Sequence, residues 1–443
     1  MRRRLLCASQ VALLAVIAVI ATAVGATAML TPQADLANVV STQPVACTPQ
    51  VLSTFPQVPP TTVYSFATNG DTVYVGGRFS SVSSADKRTT YPRDNFFAFQ
   101  LPQDGSCTMS PLRLNFNSAV FKVLESSDGT ALFIGGSFTT VNGAAHSYLI
   151  KWDIATQSID PTFNVTLDNQ VDTMVLLQNQ LVVGGDFQHV DGTPRTGLVS
   201  LDQTTGAATS LVNTVLTGSL GPSAGPIGIY RIAERPDGSQ LAVLGNFTAL
   251  DAKSREQIAL LNIGPSGDSV VNWDTPLFHQ PCQNPTIPQW GRGISYSPDG
   301  TKLGFATTGN VPPNNVLCDA LSTWSTTATG TDQQPIWIVT TPKDTMLSVA
   351  WTSGAIYVGG HFKALRGADG KRRDRQGVGA VNQRGHVMTW NPGHSRGFGV
   401  QELFVVGDSD TSGVLHGLYV GSDTGCGQPV PVEHQGVCVL PAS

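Results

Sequence analysis

The segment 408–413, Asp-Ser-Asp-Thr-Ser-Gly, places oxygen-bearing side chains at alternate positions. This spacing is typical of the start of a calcium-binding loop, in which carboxylate and hydroxyl oxygens face the ion. Tyr419 stands where such a loop would need its final glutamate. The same residues suit an ordinary hairpin turn. Asp408, Asp410 and Ser412 are therefore a calcium candidate, with a plain turn as the alternative.

The sequence offers no catalytic set. Its eight histidines occur singly, without the H-x-H, H-E-x-x-H or C-x-x-C spacing of metal sites. The segment "GPSAG" (221–225) fits a nucleophilic-serine pattern, but Pro226 and a strand-like stretch follow where that pattern needs a helix. We therefore predict no catalytic residue and no cofactor.

The N-terminus has the composition of an export signal. Three arginines, Arg2 to Arg4, precede an uncharged run from Val11 to Ala28 that ends in A-T-A. We interpret residues 1–28 as a signal peptide and 29–44 as a flexible linker. The run is long enough that an uncleaved membrane anchor over 11–28 is the alternative. The net charge of −5 disfavours nucleic acid as a partner.

One eleven-residue sequence motif, called the phrase below, occurs five times. It reads "TVYVGGRFSSV" (72–82), "ALFIGGSFTTV" (131–141), "QLVVGGDFQHV" (180–190), "QLAVLGNFTAL" (240–250) and "AIYVGGHFKAL" (355–365). A turn pair, often Asn-Gly or Asp-Gly, precedes each phrase and marks a β-hairpin. Seven such pairs stand at 69–70, 128–129, 178–179, 237–238, 299–300, 353–354 and 412–413.

Each repeat supplies about four short strands, which predicts an all-β fold: a seven-bladed β-propeller of four-stranded antiparallel blades over residues 45–443. The apolar second strand would be buried between neighbouring blades, and its glycines would allow the sheets to approach closely. The N- and C-terminal segments would close the ring, with residues 47–56 as the outer strand of blade seven. A two-domain β-sandwich is the competing fold.

The repeated phrase resembles the delta-sixty repeats of secreted bacterial propellers, whose core reads Y-V-G-G-x-F-T-x-V-x-G. The match is nearly complete in "FIGGSFTTVNG" (133–143) and extends through "VVGGDFQHVDGTPRTGLVSLDQTTG" (182–206). The repeat at 297–309 departs from the pattern and is similar to the "SPDG-x-x-L" repeats of TolB-type propellers. The resemblance implies an exported propeller and brings no catalytic residues with it.

We call the face that carries the turn pairs the bottom face, and the opposite face, where the second strands end, the top face. The variable position of the phrase and the long loops at 80–95, 278–293, 309–320, 363–376 and 422–435 fall on the top face. Clustered long loops indicate a recognition surface, although solvent exposure and tolerated loop growth would also explain them. The predicted ligand face comprises Arg78, Tyr91, Arg93, Asp186, Trp290, Arg292, His361, Arg366 and Asp423.

Six cysteines remain if the segment that contains Cys7 is removed, and an even number in an exported chain favours disulfides. Cys282 and Cys318 fall in loops that flank blade five, and Cys426 and Cys438 bracket a loop of blade seven. Elimination then pairs Cys47 with Cys107. Our alignment places those two on outer strands of adjacent blades, which predicts too large a separation for a bridge.

The sequence thus predicts a secreted or cell-surface, non-catalytic binding or scaffold module. Its expected partner is an extracellular protein or an envelope glycan, its expected state is a monomer, and membrane contact is expected only if residues 11–28 are retained. The alternative is a propeller-fold hydrolase or lyase with its site in the central top-face cavity.

Overall fold

The computed structural model describes residues 34–52, 61–279, 282, 291–309, 317–342, 344–427 and 436–443. The predicted signal peptide, and with it the membrane-anchor alternative, lies outside these ranges. Within them the regular elements are β-strands and two short 3-10 helices, Pro222–Ala224 and Pro276–His279, with no α-helix. Among the described residues no helix is long and apolar enough to cross a membrane.

The strands follow the repeats in chain order. The first two repeats contain β1 (Gln50–Leu52), β2 (Thr62–Asn69), β3 (Thr72–Arg78), β4 (Ser81–Ser83), β5 (Thr90–Pro92), β6 (Phe96–Gln100), β7 (Thr108–Met109), β8 (Val120–Glu125), β9 (Ala131–Gly136), β10 (Thr140–Val141), β11 (Ala144–Ala145), β12 (Leu149–Asp153) and β13 (Ser158–Ile159). The next two contain β14 (Val171–Leu177), β15 (Gln180–Gly185), β16 (His189–Val190), β17 (Thr193–Pro194), β18 (Leu198–Asp202), β19 (Leu216–Thr217), β20 (Gly228–Glu234), β21 (Gln240–Asn246), β22 (Ala249–Leu250), β23 (Lys253–Ser254), β24 (Ile258–Gly264) and β25 (Gly267–Val270). The last three contain β26 (Gly291–Tyr296), β27 (Lys302–Thr307), β28 (Ala320–Ser325), β29 (Trp337–Thr340), β30 (Thr345–Trp351), β31 (Ile356–His361), β32 (Ala364–Arg366), β33 (Arg372–Asp374), β34 (Val378–Val381), β35 (Glu402–Val406), β36 (Gly417–Gly421) and β37 (Val437–Pro441).

In the described ranges the long strands form seven antiparallel sheets, one for each repeat. They are sheet 1 (β2, β3, β6, β7), sheet 2 (β8, β9, β12, β13), sheet 3 (β14, β15, β18), sheet 4 (β20, β21, β24, β25), sheet 5 (β26 to β29), sheet 6 (β30, β31, β34) and sheet 7 (β35, β36, β37). In sheets 3 and 6 a single bridge, Leu201–Ala208 or Val381–Val387, lies beside the third strand. Small ribbons follow the second strands in the chain; β4–β5 also pairs with β1, and β32–β33 continues sheet 5 through one residue pair, Thr340 and Arg366.

The hydrophobic core lies between the sheets. Each of seven buried clusters joins one sheet to the next, and one of them packs Val63 and Phe66 of sheet 1 against Tyr419 and Val439 of sheet 7. The first strands also contact one another in succession, from β2 to β8 and onward to β35, which contacts β2. Each sheet therefore buries both faces only because it has a neighbour on each side.

The first glycine of the repeated phrase lies against the first strand of the following sheet. A Cβ added to Gly76 would lie 2.6 Å from Cγ1 of Val120 in sheet 2. Gly421 of sheet 7 faces Val63 of sheet 1 in the same way, with its added Cβ 3.0 Å from Cγ1 of Val63. Glycine is needed because the neighbouring aliphatic side chain already fills the space between the sheets.

The second glycine faces a β-bulge in its own sheet. Val63 pairs with Gly77 and Ser65 pairs with Gly76, so that Tyr64 is left out of the ladder. A Cβ on Gly77 would collide with the carbonyl oxygen of Thr62. Because a bulge re-aims one side chain, the glycine pair gives the first strand of sheet 1 room to turn one residue away from the regular alternation. The same register shift occurs in sheets 2, 3, 4, 5 and 6.

Residues 34–46 are an ordered closing segment. Ser41 N donates to Pro441 O at 2.8 Å and Val45 N donates to Val439 O at 2.9 Å, which places residues 41–45 beside β37. Leu36 and Val40 are buried against sheets 6 and 7. The flexible linker predicted over 29–44 is therefore wrong for residues 34–44, because these apolar side chains and backbone hydrogen bonds fix the segment.

The predicted closing strand over 47–56 is also misplaced, and residues 53–56 of it lie outside the described ranges. Residues 50–52 form β1, in which Val51 pairs with Val82 of a top-face ribbon. Phe116 bridges Val141 of the next ribbon in the same way. The chain beside β37 comes instead from residues 41–45, just before Cys47, which bond to β37 without forming a regular strand.

The described residues contain three disulfides, Cys47–Cys107, Cys282–Cys318 and Cys426–Cys438. The separation expected between Cys47 and Cys107 does not occur, since their Cα atoms are 5.6 Å apart. Cys47 lies where the closing segment passes from sheet 7 to sheet 1, and not on an outer strand. Disulfides persist mainly in oxidising compartments.

Candidate functional site

The bulged residues form a ring of equivalent positions around the axis that the first strands share. We call these positions the mouth ring: Tyr64, Phe121, Asp172, Tyr230, Arg292, Leu347 and Gln401. Gln401 belongs to it because its N–H bonds Gly421 O at 2.8 Å just before β35. Below the ring lies a cavity of about 340 Å³, lined by first strands of all seven sheets.

Two carboxylates meet on one side of the mouth. Gln170 Nε2 donates to Asp172 Oδ1 at 3.0 Å and to Asp186 Oδ2 at 3.3 Å. The other oxygen of each carboxylate is buried without a hydrogen-bond partner. Burial raises the pKa of Asp172 well above its ordinary value, with repulsion from Asp186 adding to the shift, and burial raises the pKa of Asp186 to about 6. The pair can therefore hold a proton in mildly acidic solution.

Two arginines follow on the next two sheets. Burial lowers the pKa of Arg292, and repulsion from Arg231 lowers it further. Arg231 Nη1 donates to Tyr230 O at 2.8 Å, and Arg231 lines the cavity. Lys122 and Glu402 form an ion pair at 3.6 Å inside the cavity. No ion pair among the described residues includes Arg231 or Arg292.

Tyr230 and Tyr64 link the charged groups of the mouth. Burial raises the pKa of Tyr230, Asp186 and Asp172 raise it further, and Arg292 opposes them. Burial raises the pKa of Tyr64, while Arg78 and Arg231 lower it and Asp423 raises it. The electrostatic influence of each group on its neighbours indicates that these side chains share one region of the top face.

The predicted ligand-face residues divide into two groups. Arg78, Asp186 and Arg292 lie at the mouth, as the preceding interactions indicate. Asp423 lies beside Tyr64, but its carboxylate accepts hydrogen bonds from Phe398 N at 2.8 Å and Gly399 N at 3.2 Å, so it also holds the loop before sheet 7.

Arg93 does not face a ligand. It is only 3% exposed, and its guanidinium donates to Pro92 O at 2.9 Å and Ser110 O at 3.3 Å. Arg255 and Arg375 bind backbone carbonyls in the same manner in sheets 4 and 6. The prediction for Arg93 is wrong because this arginine secures a ribbon to the outer edge of its sheet, as its counterparts do.

The remaining predicted residues do not join the mouth cluster. Tyr91 lies in β5, with its ring 5.9 Å from Cζ of Arg93. The His361 ring N–H donates to Gly397 O, and exposed Arg366 donates to Gly370 O at 3.4 Å. Trp290 lies outside the described residues.

The calcium candidate forms structural hydrogen bonds. Asp408 Oδ2 accepts from Ala37 N at 2.8 Å, and Asp410 Oδ1 accepts from Ser412 N at 2.7 Å. These carboxylates hold the closing segment and a hairpin turn. Across the described ranges, no group of three His, Cys, Asp or Glu side chains is arranged to bind a metal ion.

Sequence reasoning missed Tyr64, Asp172, Tyr230 and Arg231. A usable signal exists at five of the seven positions: the mouth-ring residue directly follows the aliphatic residue that faces the preceding sheet's glycine, as in Val63-Tyr64 and Val171-Asp172. Arg292 and Leu347 lack it. Strand alternation alone hides this position, because the bulge adds a residue to the period of two.

No protein-family model and no curated protein matches the chain. Among solved structures it is similar to one described as the crystal structure of RRP9 WD40 repeats, with 12% identity and a TM-score of 0.50, covering 93% of this chain and 99% of that chain. It is also similar to one described as the structure of U3-55K, with 12% identity and a TM-score of 0.48, covering 89% and 98%. WD40 repeats build β-propellers, so the first likeness shows that this all-β chain has a propeller fold.

Proposed function

We propose that this protein is a seven-bladed propeller, closed by residues 34–46, that acts outside the cell as a non-catalytic binding module. The seven sheets with seven shared cores, one of them between sheets 7 and 1, support the blade count and the closure. The three disulfides and the export-type N-terminus support an extracellular location. Its ligand is an extracellular protein or an envelope glycan.

The mouth ring is the observation that carries this proposal. Six of its seven positions share one β-bulge and the seventh, Gln401, takes the corresponding place just before β35, but the seven carry aromatic, acidic, basic, amide and aliphatic side chains. A constant scaffold that presents different side chains around one opening is the usual construction of a recognition site. The ligand therefore binds at the top-face mouth.

The alternative, a hydrolase or lyase at the same opening, has one specific observation in its favour. Asp172 and Asp186 share the Gln170 amide, and the pKa of Asp186 is raised to about 6. Two carboxylates whose environments keep a proton available could serve as acid and base in polysaccharide cleavage.

Both functions are tested by using the secreted chain as bait to capture its ligand from cell-envelope fractions. A Tyr64→Ala/Asp172→Asn variant should lose the captured component, whereas Arg384→Gln, which alters an exposed turn on the bottom face, should retain it. Equal capture by all three chains would refute binding at the mouth. Shortening of a captured polymer by the native chain but not by Asp172→Asn would establish the enzyme instead.

A further inference from the structure

Among the described residues, the mouth contains both buried hydrogen-bond acceptors without donors and arginines without an ion-pair partner. On one side, Asp172 Oδ2 and Asp186 Oδ1 are buried acceptors without donors. On the other, Arg231 and Arg292 repel each other, and although Arg231 attracts the Asp172 carboxylate from beyond ion-pair distance, no carboxylate among the described residues forms an ion pair with either arginine. Buried acceptors without partners are costly, and a ligand that supplies hydroxyl donors would satisfy them.

The arginine side has the complementary requirement. Guanidinium groups present several donors in a planar fork that fits carboxylate and sulfate oxygens. Arg231 and Arg292 come from adjacent sheets whose first strands, β20 and β26, contact each other. An oxyanion between them would relieve their mutual repulsion.

The aromatic members of the ring provide an apolar surface. Tyr64 and Phe121 are half-buried and pack edge to face, with ring centroids 5.3 Å apart. Rings of this kind offer contact area at low conformational cost. The cavity beneath, about 340 Å³, falls within the size range of small-ligand sites.

We propose that the mouth binds an acidic saccharide, with its carboxylate or sulfate on Arg231 and Arg292, its hydroxyl groups on Asp172 and Asp186, and its apolar ring face toward Tyr64 and Phe121. This assignment rests on the proposed binding function and names the ligand class of the same site. A neutral glycan leaves the arginines unpaired, and a ligand without hydroxyl or amide donors leaves the carboxylates unsatisfied.

The test is calorimetric titration of the full secreted chain with three oligosaccharide probes: oligogalacturonate, its methyl ester and a sulfated galactan fragment of the carrageenan type, which carries sulfate but no carboxylate. The ester retains the hydroxyl groups and removes the charge. We expect at least one acidic probe to bind about tenfold or more tightly than the ester, since charge-assisted hydrogen bonds are lost with the ester. Which acidic probe binds distinguishes carboxylate from sulfate recognition.

Arg292→Gln and Arg231→Gln should each weaken the acidic probe about tenfold or more, with the ester unaffected and Arg384→Gln unchanged. If a glutamine variant fails to fold, as judged by thermal melting, Arg292→Lys retains the charge without the fork and should give an intermediate loss. Equal binding of acid and ester, or variants indistinguishable from the native chain, would overturn the assignment. Capture of an envelope component unaffected by the arginine variants would also overturn it while leaving the binding function intact, and absence of any captured component would refute the binding function itself.

Discussion

Single buried ionisable residues make the stability of this protein depend on pH. Burial raises the pKa of Glu234, on β20, to about 8, from an ordinary value of 4.5. Between these two pH values the folded chain binds a proton that the unfolded chain has released. The contribution of neutral Glu234 to the free energy of unfolding is therefore complete below about pH 4.5 and is lost as the pH rises toward 8.

Glu234→Gln should abolish this loss, because an amide stays neutral at every pH. We expect the variant to exceed the native chain in free energy of unfolding by about 4–5 kcal/mol at pH 8 and to match it near pH 4.5. Urea unfolding at several pH values measures the difference. Asp332→Asn, at an exposed loop position, is the control; an equal response of both variants would argue against the burial of Glu234.

His394 gives the opposite dependence. It is buried next to Ser422, with Nε2 3.3 Å from Ser422 Oγ, and burial lowers its pKa from 6.5 to about 4. The unfolded chain binds the proton first as the pH falls. The stabilising contribution of neutral His394 is thus present above about pH 6.5 and is lost as the pH falls toward 4.

We expect His394→Leu to remove about 3 kcal/mol of acid-induced destabilisation between pH 6.5 and pH 4. The measurement is the slope of unfolding free energy against pH, which should be shallower in the variant than in the native chain. The comparison of slopes excludes any pH-independent cost of changing a buried side chain. Parallel slopes would show that His394 titrates normally.

At the scale of elements, the contact between two neighbouring sheets pairs one glycine with one aliphatic residue, and either sheet can supply the glycine. In sheet 4 the first glycine of the phrase is replaced by Leu244, and the first strand of sheet 5 begins at Gly291 where other sheets have an aliphatic residue. A Cβ on Gly291 would collide with the Leu244 side chain. The two positions therefore compensate each other.

A double-mutant cycle tests this compensation. Gly291→Val alone should cost about 2–4 kcal/mol through overpacking, and Leu244→Gly alone about 3–5 kcal/mol through a cavity. The double variant restores the arrangement of the other sheets and should cost at least about 2 kcal/mol less than the sum. Chemical unfolding of the four chains provides the values, and additive costs would contradict the exchange.

The elements that the sequence predicted correctly are those encoded by local patterns. The turn pairs and the phrase identified the hairpins because φ > 0 turns and buried apolar runs leave strong signals. The bulge at Tyr64 and the structural role of Arg93 escaped prediction because they depend on contacts outside their own hairpin. Residues 41–45 escaped for the same reason: their partner, β37, lies at the other end of the chain.

At the scale of the whole molecule, the closing segment joins parts of the protein that are distant in sequence. Asp35 accepts hydrogen bonds from Ser353 N and Ser353 Oγ, both at 2.6 Å, and Trp390 Nε1 donates to Val40 O at 2.9 Å. The Cys47–Cys107 disulfide then attaches the segment to sheet 1. Sheets 6, 7 and 1 are thus held together by one stretch of chain.

A chain that begins at residue 47 should therefore be much less stable than one that begins at residue 34. It loses the burial of Leu36, Val40 and Val45 and exposes the edge of β37. At about 1.5–3 kcal/mol for each buried aliphatic side chain, we expect a loss of roughly 4 kcal/mol or more. Thermal and urea unfolding of both chains, compared with the full chain, measures the effect. Because the chain that begins at residue 34 keeps every contact described for the closing segment, it should match the full chain; equal stability of all three would mean that sheets 7 and 1 hold together without the closing segment.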